Sequence, residues 1–157
     1  MDTLLEIEAI KQLKYKYFRC LDSKRWEEMA ETLVEDSTAA YDNGKYKYDG
    51  KPAILEFLSS SLNDPDIISL HQGHHPEIRL TSESTADGTW YLEDYLIFAK
   101  ADMRLRGAGF YSDKYVKVDG EWKIHHTGYV RTFEEVQNAA DGPSKWSLTH
   151  YGDHLNK

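Results

Sequence analysis

The stretch TWYLEDYLIF, residues 89–98, constrains this chain most, because it reads as a strand with a carboxylate on its greasy side. At a two-residue period Trp90, Leu92, Asp94, Leu96 and Phe98 share one face, while Thr89, Tyr91, Glu93, Tyr95 and Ile97 share the other. Glu93 sits among tyrosines near water, but Asp94 is flanked at i±2 and i±4 by large apolar side chains. A buried charge costs several kcal/mol unless it finds a partner, so the rest of the chain must supply one. His71 before it and Arg131 after it are the candidates.

The segments around that strand divide into helices first and strands after. Residues 4–22 predict an amphipathic helix, with Ile7, Ala9, Ile10, Leu13, Tyr17, Phe18, Cys20 and Leu21 on one half of the wheel and Glu8, Lys11, Gln12, Lys16 and Arg19 on the other. Tyr17 lies in the middle of the apolar arc, the place of a core tyrosine. Asp22 lies at its edge, where it suits the N-cap of a second helix carrying Trp26, Met29, Ala30 and Leu33. Asp42-Asn43-Gly44 predicts a small hairpin, and Gly50-Lys51-Pro52 opens a third helix striped by Ile54, Phe57, Leu58 and Leu62. IISLHQGHHPEIRL predicts a strand with an irregular start, and 81–88 a turn into the Asp94 strand.

Asp119-Gly120 marks a two-residue hairpin turn. An unbroken register pairs Lys117 with Trp122, Tyr115 with Ile124, Phe110 with Tyr129 and Ala108 with Arg131. Tyr111, Tyr115, Trp122 and Ile124 then share one face, and Phe110, Tyr129 and Arg131 the other. Helices followed by antiparallel strands predict an α+β domain with the helices on one face of the sheet.

Composition narrows the function. A net charge of -8 with 19 dispersed Lys+Arg leaves no electrostatic footprint for nucleic acid. The single Cys20 excludes an internal disulfide and a cysteine-built zinc site, and the histidines form no compact ligand set, so no metal is expected. The N-terminus has no basic leader and no apolar run nears the ~18 residues of a membrane span, so a soluble, cytoplasmic protein with no membrane partner is expected. Eleven tyrosines suit a pocket of rings with polar tips.

Five strings, IEAIKQLKYKYFRCLD, YDNGK, SLHQGHHPEI, GTWYLEDYLIF and FYSDKYVKVDGEWKIHHTGYVR, resemble the SnoaL-like branch of the nuclear-transport-factor-two-like superfamily, and within it the bile acid 7α-dehydratases. The resemblance covers residues 7–134, leaving 135–157 as a C-terminal tail expected to cover the pocket or to meet another subunit. It implies a cone-shaped, curved antiparallel sheet wrapped by N-terminal helices around a deep apolar pocket, and a homo-oligomer, dimer or trimer. It assigns catalysis to Tyr17, Asp22, His71, Asp94 and Arg131 and places Tyr41 in the pocket. Trp90, Phe110 and Tyr129 complete the expected substrate-binding set.

The implied activity is a cofactor-independent dehydratase acting on a hydrophobic steroid- or bile-acid-like substrate with a conjugated carbonyl, free or as a coenzyme A thioester. Asp94 is expected to orient His71, and Asp22 to pair with Arg131. Two rivals keep the fold: an isomerase, polyketide cyclase, epoxide hydrolase or dehydrohalogenase, or a protein that binds an apolar ligand without chemistry. The link 99–107 and the tail depart from the bile acid pattern.

Overall fold

The computed structural model describes residues 2–142 and the strand 145–148. Helix α1 (Thr3–Asp22) starts where Asp2 accepts the Leu4 amide at 3.0 Å, and it buries Ile10, Lys14, Tyr17, Phe18, Cys20 and Leu21. Helix α2 (Trp26–Ala30) is shorter than its stripe predicts, because Leu33 leaves the helix and opens strand β1 (Leu33–Tyr41). The Thr32 carbonyl already takes the Ile124 amide of the sheet at 2.8 Å, so pairing overrides the helical pattern. Asp22 does not cap α2: Arg25 holds that position, without a side-chain bond.

Strand β2 (Tyr46–Asp49) returns from the turn in which Asp42, Asn43 and Gly44 all take positive φ, and helix α3 (Lys51–Leu62) follows with Pro in its first turn. Then come β3 (Ile67–Leu80), β4 (Thr85–Phe98), β5 (Met103–Val118), β6 (Glu121–Asn138), a turn of 3-10 helix at Ala139–Asp141, and β7 (Lys145–Leu148). The strand order is β2-β1-β6-β5-β4-β3, with β7 pairing to β6. The sheet is mixed rather than wholly antiparallel, since β1 and β6 run parallel. It is curved and unclosed, and α1 and α3 pack against it, which gives the α+β cone. Beyond Leu148 the tail lies outside the described residues.

Strand β4 alternates as its sequence predicts, with Trp90, Leu92 and Asp94 buried and Tyr91 and Glu93 exposed. The irregularity of β3 falls in its middle: His75 takes φ 46°, and the register slips between His74 and Glu77.

The β5–β6 hairpin turns at Asp119 and Gly120, both at positive φ, and pairs Lys117 with Trp122 and Tyr115 with Ile124 as expected. A bulge between Tyr115 and Lys114 then intervenes, so that Tyr111 faces Tyr129 and Gly109 faces Arg131, and a second follows beyond that pair, between Gly109 and Ala108. The first one-residue slip reverses the predicted faces of Tyr129 and Arg131. Tyr129 and Arg131 join Tyr111 inside the cone. Phe110 lies outside, its ring 4.4 Å from that of Tyr91. Among the described residues no helix is long and apolar enough to cross a membrane.

Candidate active site

Between α1, α3 and the concave face of the sheet lies a cavity of about 130 Å³. Leu21, Phe57, Leu58, Leu62, Leu96 and Leu105 give its apolar wall, and Tyr17, Tyr41, His71, Asp94, Tyr111, Tyr129 and Arg131 give its polar one. Helix α1 contributes Tyr17 and Leu21, one turn apart on its buried stripe. Strand β3 supplies His71, β4 Asp94 and Leu96, and β6 Tyr129 and Arg131. A larger hollow of about 650 Å³ on the outer face, between His74 and Phe133, has exposed walls and no enclosed charge pair.

Asp94 is 3 % exposed and meets Arg131 as a two-pronged ion pair, Nη1 to Oδ1 at 2.5 Å and Nη2 to Oδ2 at 2.7 Å. Burial alone would lower the pKa of the Arg131 guanidinium, but the Asp94 bond and charge outweigh it and the net direction is upward. The expectation that Asp94 holds His71 is therefore corrected. Although the two are paired across β3 and β4, the imidazole turns to Asp22 instead.

Asp22 ends α1, where the helix dipole disfavours a carboxylate. It is held there by β3, accepting the Ser69 hydroxyl at 2.9 Å, the His71 amide at 2.7 Å and His71 Nδ1 at 2.7 Å. A carboxylate only accepts, so Nδ1 carries a proton and Nε2, on the far edge of the ring, is the nitrogen that Asp22 leaves unengaged.

Tyr17 lines the same cavity from α1, its hydroxyl 3.0 Å from that of Tyr41. Burial pushes both phenols upward, and Tyr111 likewise, while Tyr129 is pushed up to about 12. At neutral pH these hydroxyls are protonated and can donate. The cavity thus joins an imidazole, phenols that can donate and a fixed cation around one apolar space.

The structure brings Tyr17, Tyr41, His71, Asp94, Tyr129 and Arg131 to this cavity, with Asp22 immediately behind His71. It does not bring Trp90 or Phe110 there. Trp90 is fully buried away from the cavity and donates from Nε1 to the Tyr115 hydroxyl at 2.9 Å, and Phe110 is on the outer face.

Sequence reasoning missed two features. Gly107, opposite Asp94, is a glycine because a Cβ there would lie 2.1 Å from Arg131 Nη1. Lys14 is wholly buried, and its spacing on the stripe Ile10-Lys14-Tyr17-Leu21 was the available signal.

The sequence profile of the SnoaL-like domain matches residues 2–128. Among solved structures, a protein of Novosphingobium aromaticivorans provisionally assigned as a scytalone dehydratase superposes with TM-score 0.79 at 23 % identity, covering 95 % of each chain. A hexachlorocyclohexane dehydrochlorinase, LinA type 2, superposes with TM-score 0.74 at 16 % identity, covering 96 % of this chain and 95 % of its own. ActVI-ORFA of Streptomyces coelicolor does so with TM-score 0.68 at 16 % identity, covering 80 % and 96 %. At such identities the structures establish the fold, and it is the profile over residues 2–128 that identifies the chain as a member of the SnoaL-like domain family.

Proposed function

We propose that the chain is a cofactor-independent hydro-lyase that removes water from a hydrophobic ring bearing a hydroxyl and a conjugated carbonyl. The observation that carries this reading is that the Asp22-bound imidazole of His71 and the phenol of Tyr17 line one cavity. Asp22 fixes the tautomer of His71, whose Nε2 takes the proton from carbon. Tyr17, backed by Tyr41, gives a proton to the departing hydroxyl. Arg131, anchored by Asp94, keeps a positive charge beside the carbonyl oxygen as the electrons move toward it. The leucine wall keeps bulk water from both proton transfers.

The cavity is close to the roughly 150 Å³ that encloses a benzene ring. One ring of the substrate is therefore enclosed, and the rest of a steroid or bile acid extends through the mouth, where a coenzyme A ester would also lie. Elimination of a halide, as the name of the LinA neighbour denotes, needs the base but no proton donor; the Tyr17–Tyr41 pair favours loss of water.

The test is incubation with hydroxylated steroids and bile acids, free and as coenzyme A thioesters, followed by mass analysis for loss of water, with His71→Ala and Tyr17→Phe as controls. A ligand held tightly and recovered unaltered would establish a binding protein instead.

A further inference from the structure

Behind the cavity floor lies a second polar cluster that the proposed reaction does not use. Lys14 is 0 % exposed, and its Nζ sits 2.8 Å from Oδ2 of Asp113, itself buried on β5. The same Nζ donates to the Thr127 hydroxyl at 3.3 Å and lies over the rings of Tyr111, Tyr17 and Phe18, 3.8, 4.6 and 5.0 Å from their centroids. Tyr115 donates to Asp113 Oδ2 at 2.7 Å and accepts from Trp90. Asp113 Oδ1 is enclosed with no hydrogen-bond partner among the described residues.

Stability does not explain this arrangement. A buried ion pair is commonly replaced by apolar side chains without loss, and one leaving a carboxylate oxygen unsatisfied is a poor bargain. Its position is more informative. Two of the three rings under the ammonium, Tyr17 and Tyr111, line the cavity, and Asp113 and Thr127 hold the ammonium against them.

The direction of those bonds follows from the donor inventory. An ammonium only donates, so Thr127 and Asp113 both accept from Lys14.

We propose that Lys14, held by Asp113 and Thr127, is a positioning residue for Tyr17: its buried ammonium, packed against the rings of Tyr17 and Tyr111, fixes the phenol in the cavity wall and sets a positive charge beside the ring that gives up its proton. This rests on the reading of Tyr17 as the proton donor and extends it to three residues that never touch substrate. Lys14 and Asp113 together carry no net charge, so the effect is local, set by which of the two stands nearer the phenol.

The probe is 4-nitrophenol, a single ring of the cavity's size whose ionisation is read from its visible absorption. The wild type is compared with Tyr17→Phe, Thr127→Val and the double variant Lys14→Met/Asp113→Asn, which removes both buried charges together and so avoids stranding either. Bound nitrophenolate should weaken about tenfold or more in all three, the worth of a charge-assisted hydrogen bond, with a matching rise of about one unit in the pKa of the bound probe. A merely structural pair would shift the melting temperature and leave the bound spectrum unchanged. If Tyr17→Phe moves the spectrum while Thr127→Val and the double variant do not, the positioning role is wrong and the donor reading survives. If the wild type fails to bind the probe, or Tyr17→Phe leaves binding untouched, the reading of the cavity falls and the positioning role with it.

Discussion

Backbone pairing sets His71 opposite Asp94, yet their side chains take other partners, Asp22 for the imidazole and Arg131 for the carboxylate. Burial decides the choice. A wholly enclosed carboxylate needs a permanent cation with two matched donors, which guanidinium supplies and imidazole does not. Asp22, at the rim of α1 and partly exposed, can settle for a ring and a backbone amide. Asp22→Asn and His71→Ala should each lower turnover by about 10²–10⁴-fold, the worth of one acid/base group, while leaving the melting temperature near that of the wild type. Asp94→Asn should behave differently, because it strands Arg131 in the interior and costs about 3–5 kcal/mol of stability. Asp94→Leu/Arg131→Met should recover most of that loss in a denaturant titration and remain inactive; equal midpoints for the single and double variants would show that the pair is not the reason. The inward carboxylate was legible in the strand pattern, and its partner was not. Periodicity tells which face a side chain occupies, but choosing between His71 and Arg131 requires the depth of each.

At the scale of elements, one bulge of the β5–β6 hairpin makes the cavity. It inserts one residue in β6 opposite the step from Tyr115 to Lys114 in β5, and so brings Tyr129 and Arg131 round to Tyr111. The turn and the first two cross-strand pairs follow from Asp119-Gly120 and alternation. A bulge leaves no comparable mark in the sequence, so the predicted faces of Tyr129 and Arg131 came out reversed, while Phe110 kept the side opposite Tyr111. Gly107 shows how closely the strands then approach, since a methyl group there would meet both Arg131 and Asp94 Oδ1. Gly107→Ala should therefore cost about 1–3 kcal/mol as overpacking and reduce turnover, although no charged or polar group is removed. Unchanged activity in that variant would mean that the ion pair can shift without consequence. The short α2 teaches the same lesson: its stripe ran on through Leu33, and sheet pairing at Thr32 ended it sooner.

Across the whole molecule, the aromatic content that suggested a tyrosine-lined pocket is concentrated in one interior. Tyr17, Tyr41, Tyr111 and Tyr115 are almost wholly enclosed, and Tyr129 is packed against them. The count of tyrosines was legible; their enclosure followed only from the curvature of the sheet, which lays β1, β5 and β6 around α1. Burial pushes all five phenols upward, Tyr129 to about 12. In the unfolded chain each would ionise near 10. Below that value both states hold their protons and these groups leave stability unaffected by pH. Above it the unfolded chain loses protons that the folded chain keeps, so stability falls as pH rises. Five such groups give a slope of about 7 kcal/mol per pH unit, against a total stability of about 5–15 kcal/mol for a domain. The fold should be lost within one to two units above pH 10, with the tyrosinate ultraviolet band of the buried rings rising in one step together with the loss of far-ultraviolet circular dichroism. Gradual ionisation of all five near pH 10 in a protein that keeps its secondary structure would show that water reaches these rings, and the dry interior on which the proton transfers depend would have to be abandoned.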